Sequence, residues 1–271
     1  MSLELIKELR NRTSAGMNDC RQALMESEND LNKAEDIIKA RGLLQAAKKT
    51  GVAAEGLIFI SHDFLSGSVT MTEINVQTDF AAKSPEFQKF AHQISNLIAT
   101  GTDPETTRQE AVATIKENIV VRRTVTLPKD SDLYLHNNQK VGVIGKFNGV
   151  IDQEIKDGIL MQVAAMSPLA ISRDQVDAAE VERQTKIFEQ QIAEMKKAPP
   201  EAARTKILEG KLNKWFSDVC LMEQAYLLDT TKTIKQLLGE STIEAVYRFE
   251  VGEGIEKVSS DFAAEVAKMA N

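Results

Sequence analysis

Apolar residues change their spacing at Gly51, and that change divides the chain into modules of different secondary structure. Upstream, Leu5, Ile6 and Leu9 share one helical face, Thr13-Ser14-Ala15-Gly16 interrupts it, and Cys20, Ala23 and Leu24 follow. Asp30 is placed to cap a third helix carrying Leu31, Ala34, Ile37 and Ile38, with a stop expected at Gly42. Downstream, Leu57–Ile60 and Val69–Val76 are rich in β-branched residues and flank a turn at Ser66-Gly67, the pattern of paired strands. Ser84-Pro85 supplies an N-cap and a first-turn proline to a helix striped by Phe87, Phe90, Ala91, Ile94, Leu97 and Ile98. The junction of strand, loop and helix therefore falls on Asn75 to Lys83. A helix from Asp103-Pro104 to Asn118 and an alternating strand over Ile119, Val121, Arg123, Val125 and Leu127 complete this α/β unit.

A second α/β unit, a loose echo of the first, begins at Val141-Gly142-Val143-Ile144 and continues with a helix carrying Ile155, Ile159, Val163 and Met166. It is interrupted. Ser172-x-x-Gln175 has the form of a capping box, and Ala178, Val181, Thr185, Phe188, Ile192 and Met195 recur at steps of three and four. After Lys197-Ala198-Pro199-Pro200 the same steps return at Leu208, Leu212, Trp215, Val219 and Met222, which predicts an antiparallel helical hairpin. The α/β pattern then resumes: Thr233-x-x-Gln236 opens a short helix closed by Gly239, Ile243–Val251 reads as a strand, and Asp261 is placed to cap a last helix bearing Phe262, Val266 and Met269.

The chain has 271 residues, with 33 basic against 40 acidic side chains and a formal charge of −7. That balance argues against binding nucleic acid by charge alone, which needs a basic face. No apolar run reaches the ~18 residues of a membrane span and no export leader is expected, so the reading is a cytoplasmic protein without a membrane partner. Cys20 and Cys220 lie too far apart in sequence for a redox motif and are read as buried thiols. No phosphate-binding GxxxxGK[ST] motif occurs, and Gly252-x-Gly254 lacks the third glycine of a dinucleotide loop and is taken as a turn. His62, His92 and His136 fall on different elements without metal-ligand spacing, and no nucleophile elbow is present. The pairs Glu253 with Glu256 and Glu26 with Glu28 read as solvated charge. No catalytic residue, metal or cofactor is therefore expected, and a binding role leads over an enzymatic one.

At the junction itself the sequence runs Asn75-Val76-Gln77-Thr78-Asp79-Phe80-Ala81-Ala82-Lys83, which closely resembles the TDFxAK motif of the bacterial elongation factor Ts family. Leu9-Arg10 through Thr13-x-Ala15-Gly16-Met17-x-Asp19-Cys20, with Ala23-Leu24, is similar to that family's N-terminal signature. Arg248-Phe249-Glu250-Val251-Gly252-Glu253-Gly254-Ile255-Glu256-Lys257, through Asp261-Phe262-Ala263-Ala264-Glu265-Val266, is similar to its C-terminal one. Three motifs in order across nearly the whole chain are more specific than any one of them.

The resemblance implies an α+β fold of several parts: an N-terminal three-helix module like a ubiquitin-associated domain (1–53), a first core subdomain (54–138), a second core subdomain in two pieces (139–175 and 227–258), an inserted antiparallel coiled-coil hairpin (176–226) and a C-terminal helical module (259–271). It implies a guanine-nucleotide exchange factor in translation elongation, a non-enzyme whose partner is the GTPase elongation factor Tu. Thr78, Asp79, Phe80 and Ala81 would disturb the partner's Mg²⁺ and phosphates. Arg10, Met17, Asn18, Lys48 and Lys49 would grip its GTPase domain, and Ile115, Lys116 and His136 would supply core contacts. No direct nucleotide or nucleic-acid binding is implied. Self-association through the core or hairpin stays open, as does the alternative of a ribosome- or RNA-associated module without exchange activity. Four positions depart from the family pattern: Ser14 and Lys116 stand where glycine is usual, Asn18 where a second apolar residue is common, and Ala81 where valine is bulkier.

Overall fold

The computed structural model describes residues 2–13, 15–48, 51–195 and 199–256. Three helices come first: α1 (Leu3–Thr13), α2 (Met17–Glu26) and α3 (Leu31–Lys48). The strands β1 (Glu55–His62) and β2 (Val69–Val76) lead into α4 (Asp79–Lys83), α5 (Pro85–Ala99), α6 (Glu105–Ile115) and β3 (Ile119–Leu127). Then β4 (Asp132–Leu135), β5 (Val141–Asn148) and α7 (Gln153–Met166) precede the helices α8 (Ala178–Ala193) and α9 (Glu201–Val219). The order ends with β6 (Ala225–Tyr226), β7 (Asp229–Thr233), α10 (Ile234–Leu238) and β8 (Thr242–Glu250). The fold is thus mixed helix and sheet, of the α+β class.

Two compact units emerge. One gathers the described residues of Met1–Thr126, Leu135–Val141 and Phe249–Asn271, the other Leu127–Tyr134 and Gly142–Arg248. In the first, α1 to α3 enclose Leu9, Cys20, Leu24, Ala34 and Ile38. Asp30 caps α3 as the sequence predicts, its Oδ1 accepting the Asn32 and Lys33 amides at 3.0 and 3.1 Å. The helix does not stop at Gly42, however, but runs on to Lys48. Gly42 is the point where α3 crosses α6: a Cβ there would lie 1.9 Å from the Ala113 carbonyl oxygen, so the missing side chain serves close packing instead of chain reversal.

The sheet of this unit has the order β1-β2-β3, with β1 and β2 antiparallel in the register Leu57 to Ile74 and Phe59 to Thr72. Its core joins Leu57, Phe59, Ile74 and Val76 to Phe87, Ala91 and Ile94 of α5, the stripe expected from the sequence. Ser84 caps α5 by accepting the Phe87 amide at 3.2 Å. Burying a side chain such as Phe87 contributes about 1.5–3 kcal/mol. The helix expected to reach Asn118 ends at Ile115, because Lys116 takes a left-handed conformation (φ 61°) and returns its amide to the Val112 carbonyl at 2.8 Å. The Gly252-x-Gly254 segment is a turn, with positive φ at both glycines.

In the second unit, Val143, Phe147, Ile159, Leu160 and Val163 meet Leu221, Tyr226, Ile234 and Ile243. The strands order β4-β5-β8, so β5 and β8 are sheet neighbours although α7 to α10 intervene in sequence. Helices α8 and α9 pack on each other, with Lys211 reaching Gln191 at 2.9 Å and the Phe188 ring at 5.2 Å. Trp215 stacks at a tilt on Phe216, 4.9 Å between ring centres. Along the expected seam only Ile192 is fully buried, while Ala178 and Met195 are exposed. The Ser172 capping box does not form: residues 173–175 are a single 3-10 turn, Ser172 bonds to Asp174, and Asp177 caps α8 through the Ala179 amide at 2.8 Å. The Thr233–Gln236 capping box does form. Cys20 and Cys220 are buried free thiols, and burial raises the pKa of each. The helix expected after Asp261 lies outside the described residues.

Candidate functional site

The segment that leaves β2 is held from both ends. Gln77 donates to the Gly51 carbonyl at 2.6 Å and accepts the Asn118 amide at 3.4 Å. Thr78 keeps an extended backbone, and its hydroxyl accepts the Ala81 amide at 3.2 Å, which starts the single turn and a half of α4. The same hydroxyl donates to the Glu117 carboxylate at 3.0 Å, while the Thr78 amide donates to its other oxygen at 3.1 Å.

With that cap fixed, the helical period decides which residues face inward. Ala82 is buried and Ala81 packs against the core, so Phe80, one step round, turns into solvent. Phe80 as a residue is 82 % exposed, so it does not fill the core beneath α5 as most aromatic side chains would. Asp79 at the first turn accepts from Lys83 at 2.8 Å, and this hydrogen bond holds its carboxyl below the ordinary aspartate range. Exposed pairs of this type are worth little, so a partner's cation or amide can take the carboxylate from Lys83 at small cost.

The other residues singled out from the sequence divide into those that join this loop and those that stand apart. Met17 and Asn18 are exposed at the start of α2, and the next residue, Asp19, binds the Lys116 ammonium at 3.1 Å. Lys116 in turn precedes Glu117, the anchor of Thr78. A line of contacts therefore runs from Met17 and Asn18 through Asp19 and Lys116 to the loop. Lys116 holds a left-handed backbone, a conformation that glycine adopts without penalty. Ile115 is half-buried against the first core. Arg10 on α1 and Lys48 at the end of α3 are exposed; Lys49 lies outside the described residues. His136 is exposed in the turn between β4 and β5, its carbonyl accepting the Gln139 amide at 2.7 Å.

Sequence reasoning missed two buried carboxylates. Glu117 carries no local signal, since its partner is 39 positions away. Glu73 lies within β2, fully buried, and accepts from Arg122 at 3.0 Å, Arg123 at 2.5 Å and the Gly252 amide at 2.9 Å. Burial pushes its pKa up, but the Gly252 amide and the two guanidiniums prevail and hold it below the ordinary glutamate value. Through this knot the turn after β8, part of the C-terminal signature, is tied to β2 and β3. Among the described residues no group of three or more His, Cys, Asp or Glu is placed to hold a metal, and no helix is long and apolar enough to cross a membrane.

Comparison with known proteins adds an independent line. The family model described as elongation factor TS matches residues 77–253. Elongation factor Ts of Clostridium botulinum (strain Alaska E43 / Type E3) is 37 % identical over 303 aligned positions, covering 99 % of this chain and 98 % of the relative. Elongation factor Ts of Clostridium perfringens (strain SM101 / Type A) is 36 % identical over the same length, covering 99 % of both.

Proposed function

This chain belongs to the elongation factor Ts family, and on that premise we propose that it is a guanine-nucleotide exchange factor acting in translation elongation in the cytoplasm, binding elongation factor Tu and promoting GDP release. It performs no bond-making chemistry of its own. The observation that carries the reading is the presentation of Phe80: an aromatic residue 82 % exposed on a short helix whose base is buried and capped.

The physics of such a loop follows from its parts. Phe80 offers a large apolar surface with few rotamers to lose on insertion into a partner. Asp79 offers a carboxylate able to compete for a Mg²⁺ shell or a backbone amide of the GTPase. Without the metal bridge the nucleotide phosphates lose their main countercharge. Weakening nucleotide binding from nanomolar to micromolar takes about 4.1 kcal/mol of coupling, a size that one aromatic insertion and one lost metal contact together can supply. By linkage the nucleotide weakens the factor's binding equally, so the factor speeds exchange in either direction and the prevailing nucleotide sets the outcome.

We assign Arg10, Met17, Asn18, Lys48 and Lys49 to the grip of the N-terminal module, and Ile115, Lys116 and His136 to further contacts. The continuity from Met17 through Lys116 to Thr78 supports a shared surface for the first of these and the loop. The modular division (1–53, 54–138, 139–175 with 227–258, 176–226 and 259–271) belongs to the same proposal, as does a coiled-coil role for α8 and α9. The test is stopped-flow release of a fluorescent GDP analogue from bacterial elongation factor Tu with this protein at sub-stoichiometric amounts. Acceleration with turnover is expected; release at the intrinsic rate, with both proteins folded, would overturn the reading.

A further inference from the structure

We propose that Glu117 is a positioning residue for exchange, fixing the orientation in which Phe80 and Asp79 are presented; the inference rests on the exchange reading above. Its side chain is buried, and its carboxylate takes both polar hydrogens that Thr78 offers, the amide on Oε2 at 3.1 Å and the hydroxyl shared between Oε1 at 3.0 Å and Oε2 at 3.1 Å. With the hydroxyl proton committed to Glu117, a lone pair of Thr78 Oγ1 is left facing the Ala81 amide at 3.2 Å, the bond that begins α4. Glu117 thus orients the cap, and the cap orients a helix too short to hold itself in water.

The position is specific for a carboxylate. Both oxygens accept from Thr78, whereas an amide of the same shape would turn an N–H group toward the hydroxyl, and in one of its two orientations toward the backbone N–H as well. Glu117 also lies between two partner-facing elements. Its neighbour Lys116 makes the left-handed turn that brings the carboxylate inward, and the Lys116 ammonium reaches Asp19 at the start of α2 at 3.1 Å. The residue therefore links the exposed ring to the surface around Met17 and Asn18 while being buried itself.

The experiment compares the full chain with Glu117→Gln, Thr78→Val and the double substitution in the same GDP-release assay, titrated over factor concentration. Glu117→Gln is expected to lower the maximal release rate about tenfold while shifting the half-saturating concentration less than twofold, because the gripping surfaces are untouched. Thr78→Val should lose a similar factor, and the double substitution should be no worse than the poorer single one. Amide hydrogen exchange at residues 78–82 should quicken about tenfold in Glu117→Gln, with β1 and β2 unchanged. A wild-type maximal rate, additive losses in the double, or unchanged amide exchange at Ala81 would each overturn the inference. If Glu117→Gln fails to fold, Glu117→Asp, which keeps the charge but draws the carboxylate back from Thr78, takes its place: a wild-type maximal rate or unchanged amide exchange at Ala81 overturns the inference. Should the wild type itself leave GDP release unaltered, the exchange reading falls; should the wild type and Glu117→Gln accelerate it alike, only the role of Glu117 falls.

Discussion

Phe80 and Ala82 are two residues apart and have opposite fates, one in solvent and one in the core. Removing the exposed ring should therefore leave the fold alone: Phe80→Ala is expected to change unfolding free energy by less than about 0.5 kcal/mol in urea titration. The same substitution should cut the maximal GDP-release rate at least tenfold, and an unchanged rate would remove the aromatic ring from the mechanism. Ionisation is equally local. Hydrogen bonds from Arg108 and Gln109 hold the Glu105 carboxyl down at about 2. Because the folded value lies below the unfolded one, the ion pair itself persists until pH nears 2, while any stability it lends is complete above about pH 4.5 and fades between the two values. An NMR titration of the Glu105 side chain should show that low midpoint, and Arg108→Gln should return it toward the ordinary range.

At the scale of elements, those fixed by nearby residues were legible and those fixed by distant ones were not. Asp30, Ser84 and the Thr233–Gln236 box cap their helices as their spacing predicts, since donor and acceptor lie within three positions. Gly42 misleads because a glycine that ends a helix and one that lets two helices touch look alike in sequence; only Ala113, 71 positions on, distinguishes them. Ser172 misleads for a different reason: the turn it opens closes after three residues, and Asp177 takes the capping role at the real helix start. In the candidate site the exposed Phe80 was legible through the motif, while the Thr78–Glu117 lock, formed across the sheet end, was not. The crossing at Gly42 makes a firm prediction. Alanine is the better helix former by about 1 kcal/mol, yet Gly42→Ala should destabilise the protein by about 1–2 kcal/mol net in urea unfolding, because the new methyl would meet a backbone carbonyl that cannot swing away, at the upper end of the usual overpacking cost.

Over the whole molecule, each unit has its own core, and the chain returns to the first unit after building the second. The return is secured by Glu73, whose carboxylate gathers Arg122, Arg123 and the Gly252 amide. Replacing Glu73 takes the buried carboxylate from Arg122 and Arg123 while Arg123 keeps its ion pair with Glu253 at 3.0 Å, so Glu73→Gln should cost about 3 kcal/mol at pH 7, the lower end for a broken buried pair, read as a lowered calorimetric transition of the first unit. The folded pKa of Glu73 is depressed, so its contribution is complete above the unfolded value near 4.5 and fades as pH falls below it. Wild type and Glu73→Gln should accordingly converge in acid, and a gap that persists there would argue against the charge as its source. The sole tryptophan, Trp215, stacked on Phe216 in α9, belongs to the other unit. Its emission is in effect a built-in optical label for that unit. Fluorescence and heat-capacity traces of one sample would thus register different halves of the chain, and their separation after Gly42→Ala or Glu73→Gln would measure how independently the halves melt.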